Sequence, residues 1–95
     1  MTASRRQPPC SSKIKALSDP LRLQAVRLLI PGPRRVNELA EALQAEQSLL
    51  SHHLQVLRRA GLVNVRPEGR ERFYELSFPA RNDRTINLGC CRLSF

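Results

Sequence analysis

Two stripes of side chains with different chemistry run along residues 47–60. One stripe is apolar, with Leu50, Leu54 and Leu57 at offsets 0, 4 and 7, which is the spacing of one helix face. The opposite stripe is polar, can form hydrogen bonds and carries no carboxylate; its members are Ser48, Ser51, His52, Gln55 and Arg59, and Gln47 begins the segment. Such side chains match the base edges of a DNA major groove. The pattern predicts a helix that packs on a core and contacts DNA, and its alternative is a solvated helix face.

The elements around this helix complete a known arrangement. A shorter helix is predicted from about Asn37, because apolar residues from Val36 to Leu43 follow helical spacing, and about three residues separate the two helices. This is the spacing of a helix-turn-helix. Residues 62–66 and 72–78 are predicted as two strands, with a type I turn at residues 66–69.

A helix-turn-helix followed by a β-hairpin is a winged helix, and the hairpin is its wing. Arg66, Arg70 and Arg72 then lie on the wing, where they can contact phosphates or the minor groove. The alternative for each of these arginines is a solvated turn. The fold class predicted is therefore mainly α with a β-hairpin wing.

Composition supports a nucleic-acid partner. The chain has 95 residues and a net charge of +8, from 16 Lys and Arg against 8 Asp and Glu. A small, strongly basic domain most often meets nucleic acid, with acidic membranes or proteins as the next candidates. The aromatic share is 4% with no Trp, which argues against base-stacking platforms for single strands. No apolar run approaches the ~20 residues of a membrane-spanning helix, so we expect no membrane partner.

The chain divides into three segments. Residues 1–11 are predicted as a flexible basic tail, residues 12–78 as the winged helix-turn-helix domain, and residues 79–95 as a C-terminal extension. Within the domain, Asp19 and Pro20 predict the start of a second helix. In the extension, the apolar alternation slips by one residue after Cys90, which predicts a short strand with a bulge near Gly89.

Four sequence runs carry a resemblance to a known family. They are ALSDPLRL at residues 16–23, ELAEAL at 38–43, SHHLQVLRRAGLV at 51–63, and EGR at 68–70. Together they resemble the ArsR/SmtB family of bacterial winged-helix repressors over about residues 15–77. The resemblance implies a homodimer that binds operator DNA and leaves it when a metal, metalloid or oxidant binds. It places Ser48, Ser51 and His52 on the base-contacting face and Arg70 on the wing.

The sequence departs from this family at the usual effector sites. Arg35 and Asn37 stand where arsenite and cadmium sensors often carry Cys-x-Cys. No His follows His53, so the zinc site of a C-terminal dimerisation helix is missing, and the extension lacks a helical pattern. In the turn, Gln44 stands where Gly is frequent and Glu46 where a Ser cap is frequent.

Three cysteines remain as candidates for an effector site. Cys90 and Cys91 are adjacent, and Cys10 lies in the predicted tail. Thiolates select soft ions, and trivalent arsenic prefers three sulfurs, whereas zinc needs four ligands. We therefore expect Cys90 and Cys91, with Cys10 as a third ligand, to bind As(III) or another thiophilic metal as an effector. The alternatives are a thiol redox switch and cysteines that only pack a strand, and no metal or cofactor is required otherwise.

These observations predict a sequence-specific repressor in a reducing cytoplasm. Nucleophile–base sets, phosphate-binding Gly loops and carboxylate pairs are absent from the sequence, so an enzyme is not expected. Because one recognition helix contacts only a half-site, a homodimer on double-stranded DNA is expected. The predicted dimer contacts are the apolar residues at both ends of the chain: Ile14, Leu17, Ile86, Leu88, Leu93 and Phe95. The alternatives are a winged-helix module that docks on protein and a thiol-based metal-trafficking protein.

Overall fold

The computed structural model describes residues 10–78 and 85–94. The helices are α1 (Cys10–Ala16), α2 (Pro20–Leu29), α3 (Val36–Leu43) and α4 (Gln47–Arg59). The strands are β1 (Arg34–Arg35), β2 (Val63–Glu68), β3 (Glu71–Leu76), β4 (Thr85–Asn87) and β5 (Arg92–Ser94). The antiparallel order β1-β3-β2 forms the wing sheet, and β4 pairs with β5 in a separate hairpin. The predicted fold class, a winged helix-turn-helix with a strand-like extension, is confirmed.

The first helix begins earlier than predicted. It starts at Cys10, so Cys10 and Ser11 are helical rather than part of a flexible tail. The rest of that predicted tail lies outside the described residues. The predicted loop at residues 79–84 also falls outside them.

The core sits between the helices and the inner face of the wing. The leucine stripe of α4 is fully buried, as its spacing predicts, and it meets Val26 and Leu29 of α2 and Leu39 of α3. Val63 at the base of the wing closes this core. The buried stripe therefore fixes which face of α4 is left for solvent.

Asp19 caps the N-terminus of α2. Its Oδ1 accepts hydrogen bonds from the N–H groups of Leu21 (2.8 Å) and Arg22 (3.1 Å). The Arg22 N–H is the larger cause that lowers the pKa of Asp19 below its ordinary value, and burial partly opposes it. Since the folded state favours the charged carboxylate, this cap stabilises the fold above the ordinary aspartate pKa. That contribution is lost as the pH falls through the lowered value.

Gln44 ends α3 in a left-handed conformation, with φ of 52°. This conformation of Gln44 allows the next N–H, that of Ala45, to donate a hydrogen bond to the Ala40 carbonyl (3.0 Å), which ends the helix. Side chains disfavour this region because Cβ approaches the carbonyl oxygen, and glycine does not. Three residues, 44–46, separate α3 from α4, which matches the predicted turn.

We expect Gln44→Gly to raise the free energy of unfolding by about 0.5–1 kcal/mol, because it removes the left-handed strain at a modest entropy cost. Urea unfolding followed by circular dichroism measures this difference. Gln44→Ala is the matched control and should give no gain. A Gly variant no more stable than the Ala variant would contradict this explanation of the turn.

The turn of the wing lies further along the chain than predicted. The strands extend to Glu68 and from Glu71, so the loop is Gly69–Arg70 and not residues 66–69. Gly69 has φ of 63°, the left-handed value that two-residue hairpin loops require at their first position. Pro67 pairs with Arg72 inside β2, which tolerates proline because β2 is an edge strand.

The C-terminal extension is a hairpin and not a bulged strand. The Leu88 N–H donates to the Cys91 carbonyl (2.8 Å), and Gly89 has φ of 90° in the turn between β4 and β5. The slip in the apolar alternation is therefore a reversal of the chain. In the register, Ile86 lies opposite Leu93.

The predicted dimer surface was wrong for three of its residues. Leu17, Ile86 and Leu88 are buried in the core of the single chain, so they are not free to contact a second copy. Ile14 is 51% exposed and remains available, Leu93 is half-buried, and Phe95 lies outside the described residues. Because Ile86 and Leu88 belong to the core, deleting residues 79–95 would destabilise the single chain. Such a deletion therefore does not test the dimer contacts alone.

Candidate nucleic-acid interface

The polar stripe of α4 is open to solvent along its length. Every predicted member is exposed: Gln47, Ser48, Ser51, His52, Gln55 and Arg59. The helix holds this orientation because its leucines are locked in the core on the other side. The Glu46 side chain makes no capping hydrogen bond, so the first-turn N–H groups of α4 have no side-chain acceptor from this residue. The surface offers donors and acceptors without a negative charge on the stripe.

The two histidines of α4 have different environments. His52 is exposed on the stripe, whereas His53 is half-buried, and their ring centroids are 6.1 Å apart with the planes at 69°. The Nδ1 of His53 is buried and has no hydrogen-bond partner among the described residues. His52 is therefore the histidine that is open to solvent on the stripe, and the two rings differ in exposure.

The sequence did not lead us to predict that Leu49 belongs to the exposed surface of α4. It lies on α4 between Ser48 and Leu50 and is 48% exposed, although it is a large apolar residue. Its position outside the 0, 4, 7 spacing of the buried leucines was the available signal. An exposed aliphatic group beside hydrogen-bonding residues suits the methyl group of thymine.

The wing divides its charges between two faces. Arg66 lies 3.7 Å from Glu68 and 3.5 Å from Glu75, so carboxylates already surround it. Arg72 pairs in register with Pro67, one position away from the Arg66–Phe73 pair, and therefore lies on the opposite face. Arg70 and Arg72 are exposed and form no ion pair within residues 10–78 and 85–94. Of the three predicted wing arginines, these two are better placed to contact phosphate.

Arg35 anchors the wing to the helix-turn-helix. Its guanidinium contacts Glu71 of β3 at 2.8 Å and Glu38 of α3 at 3.3 Å. The hydrogen bond to Glu71, followed by that to Glu38, raises the pKa of Arg35 above its ordinary value. The Arg35 backbone N–H also donates to Glu38 (2.9 Å), and this bond is the main cause that lowers the pKa of the Glu38 carboxyl. Arg35, which stands where arsenite and cadmium sensors often carry a cysteine, thus holds the wing against α3.

The three cysteines meet within one chain. Cys10 at the start of α1 forms a disulfide with Cys90, and the Cys91 Sγ lies 3.5 Å from the Cys10 Sγ. All three Sγ atoms lie within 4.8 Å of one another. The sequence named these residues as ligands and led us to expect the two ends to meet in a dimer, whereas they meet within one chain, and it did not predict a disulfide. We call these three residues the sulfur cluster.

Lys13 connects α1 to the C-terminal extension, and sequence reasoning missed it. Its Nζ donates to the Leu88 carbonyl (2.8 Å) and lies 4.5 Å from the centroid of the Phe78 ring. The side chain is only 3% exposed. Its spacing from Ala16 and Leu17, three and four residues on, was the signal that it faces the core.

Four helices, a three-residue turn before α4 and a β-hairpin after it define a winged helix-turn-helix of the kind found in transcriptional regulators. Residues 19–65 match the family model described as bacterial regulatory protein, arsR family. The chain is 34% identical over 84 residues to the arsenical resistance operon repressor of Staphylococcus aureus, covering 88% of this chain and 81% of that protein. The chain therefore belongs to the ArsR family of bacterial regulatory proteins, which are transcriptional regulators and not enzymes.

Two further similarities support the family and the fold. The transcriptional activator HlyU of Vibrio cholerae is 45% identical over 64 residues, which are 67% of this chain and 59% of HlyU. The chain thus spans little more than half of that relative. The solution structure of the homodimeric winged helix-turn-helix DNA-binding domain of Mb0332 from Mycobacterium bovis matches with a TM-score of 0.69 and 35% identity. That match covers 72% of this chain and 63% of the other.

None of the helices within residues 10–78 and 85–94 has the length and apolar character needed to span a bilayer.

Proposed function

We propose that this chain is a homodimeric repressor that binds operator DNA through the exposed stripe of α4 and is released by a thiophilic effector at the sulfur cluster. One observation carries the DNA-binding part: the exposed, carboxylate-free stripe that the buried leucines hold in place. A surface helix without this role would usually mix Glu and Lys among its exposed residues.

In this proposal α4 enters the major groove. Ser51 and His52 offer hydrogen bonds to base edges near the middle of the helix, and Leu49 offers an apolar contact to thymine. Arg70 and Arg72 on the wing bind backbone phosphates and orient the domain without contributing base specificity. Arg66 has a smaller part, because Glu68 and Glu75 compete for its guanidinium.

A homodimer fits this use of DNA. One α4 contacts a half-site, so two copies are needed for an operator of ordinary length. The matched Mb0332 domain is homodimeric, which supports the same assembly here. Ile14 on α1 is a large apolar residue that is 51% exposed, and it belongs to the contact we propose.

The sulfur cluster is the proposed effector site. Trivalent arsenic takes three sulfur ligands, and three Sγ atoms within 4.8 Å of one another match that number. The ligands must be thiolates, so a thiol reductant first supplies two electrons and opens the Cys10–Cys90 disulfide. The similarity to an arsenical resistance operon repressor supports arsenite as the first ion to test.

The signal has a short path to the DNA-binding helix. Cys10 begins α1, Lys13 ties the same helix to the Leu88 carbonyl, and α1 packs against α4. Because Cys10 begins α1, we expect an ion held by the three sulfurs in place of the disulfide to change the position of α1 relative to α4.

A second candidate signal is oxidation itself. The Cys10–Cys90 disulfide favours it, because disulfides are rare in reducing cytoplasm and are usually transient or redox-sensing when they occur there. In this version, the disulfide and dithiol forms differ in operator affinity without any metal.

The salt dependence of binding tests the DNA-binding proposal. If a dimer neutralises roughly 6 phosphates, log K against log salt should fall with a slope of about −5 on the DNA upstream of its own gene. Fluorescence anisotropy at several salt concentrations measures it. A slope near zero would instead support the protein-docking alternative.

A further inference from the structure

A basic cleft opens between α1, α2 and α4, and it shares Arg59 with the stripe described above. Its volume is about 340 Å³. The polar residues that line it are Ser12 and Lys15 of α1, Arg22 of α2 and Arg59 of α4. Three apolar side chains form the rest of its wall: Ala16 of α1, Val56 of α4 and Ala60, which follows α4.

None of the three cations of this cleft forms a salt bridge in the described parts of the chain, and Asp19 lies near enough to Arg22 to attract it electrostatically. Lys15 and Arg59 are exposed, Arg22 is half-buried, and none forms an ion pair there. The Nε of Arg22 is buried without a hydrogen-bond partner. The neighbouring Asp19 uses its Oδ1 for the backbone N–H groups of Leu21 and Arg22, and none of the described lining residues is acidic. Like charges around one opening repel, and an anion between them relieves that repulsion.

The cleft adjoins the end of the DNA-binding stripe. Arg59 belongs both to the cleft and to the stripe, at offset 11 from Ser48, about 16 Å further along the helix axis. A helix in the major groove is flanked by the phosphate backbones on either side. The end of the stripe is where a backbone would meet the protein.

We propose that Lys15, Arg22 and Arg59 bind a backbone phosphate of the DNA beside the bases that α4 contacts, with the Ser12 hydroxyl as a further donor. Guanidinium groups suit this role because their N–H groups pair with phosphate oxygens. This inference rests on the proposed DNA binding and adds three residues, Ser12, Lys15 and Arg22, that lie outside the helix-turn-helix and the wing. A free phosphorylated molecule presents the same chemistry, so the test separates the two sources.

The test compares salt slopes of Lys15→Ala and Arg22→Gln with that of Arg92→Ala, which removes an exposed positive charge on β5, away from the cleft. Each cleft variant should bind operator and scrambled DNA more weakly by the same factor. Each should also make the salt slope shallower by about 2, because a dimer carries the substitution in both protomers, while Arg92→Ala keeps the wild-type slope. Thermal unfolding shows whether Arg22→Gln is folded, and Lys15→Ala is the independent variant because its side chain is exposed.

The outcomes are distinguishable. A wild-type protein whose binding does not depend on salt would refute the proposed function itself. Normal wild-type binding with unchanged slopes in both folded cleft variants would overturn only this inference. In a separate arm, inorganic phosphate is titrated into the DNA-free protein by NMR. If both variants lose phosphate binding but keep the wild-type slope on DNA, the cleft holds a free anion and the DNA assignment is wrong.

Discussion

Replacing Ser51 or His52 by Ala is expected to lower affinity for the operator about 5- to 150-fold and to leave affinity for scrambled DNA nearly unchanged. The range corresponds to the loss of about 1–3 kcal/mol from one good base contact. Both side chains are exposed on the face of α4 that the buried leucines turn outward, so the substitutions remove contacts without disturbing the core. Parallel titrations of each variant on the two DNAs measure the effect.

Arg70→Ala is the matched control for this prediction. Arg70 lies in the loop of the wing and contacts phosphate in our proposal, so its loss should weaken binding to both DNAs by a similar factor. Equal losses on both DNAs for the Ser51 and His52 variants would place the base contacts on a different surface.

Arsenite is expected to lower the operator affinity of the reduced wild-type protein about a hundredfold, and changing both Cys90 and Cys91 to Ser should abolish that response. A hundredfold change needs only about 2.7 kcal/mol of coupling between the two sites. The double variant keeps a single sulfur, from Cys10, and cannot chelate, whereas Cys10→Ser keeps two sulfurs and should respond more weakly than wild type. Anisotropy titrations with arsenite measure both effects.

A control with oxidant separates the two effector proposals. Reduced and oxidised wild-type protein, without arsenite, should differ in operator affinity only if the Cys10–Cys90 disulfide is itself the signal. Release of the double variant by arsenite would exclude the sulfur cluster as the effector site.

The helix-turn-helix could be predicted because its signals are local. The leucines of α4 sit one helical turn apart, so their spacing gives both the helix and its buried face, and the opposite stripe follows. The position of the wing turn was harder to predict from the sequence. Proline at residue 67 suggests a turn by itself, and it is tolerated in a strand only because β2 is at the sheet edge, which depends on the sheet order.

For the C-terminal extension, the sequence pattern was compatible with more than one structure. An alternation that slips by one residue is compatible with a bulge and with a chain reversal, and the bond from Leu88 to Cys91 selects the reversal. Apolar character predicts that Leu17 and Ile86 are buried, but it does not say whether the same chain or a second copy buries them. The Cys10–Cys90 disulfide joins residues 80 positions apart, so no local pattern contains it.

The ratio of operator to scrambled-DNA affinity tests the central claim most directly. The reduced wild-type protein is titrated on the DNA upstream of its own gene and on a scrambled duplex of the same length, at about 0.15 M salt. We expect the upstream DNA to bind at least about a thousandfold more tightly, the lower end for specific DNA-binding proteins. Equal affinity for the two duplexes would contradict the proposal that the exposed stripe of α4 contacts an operator.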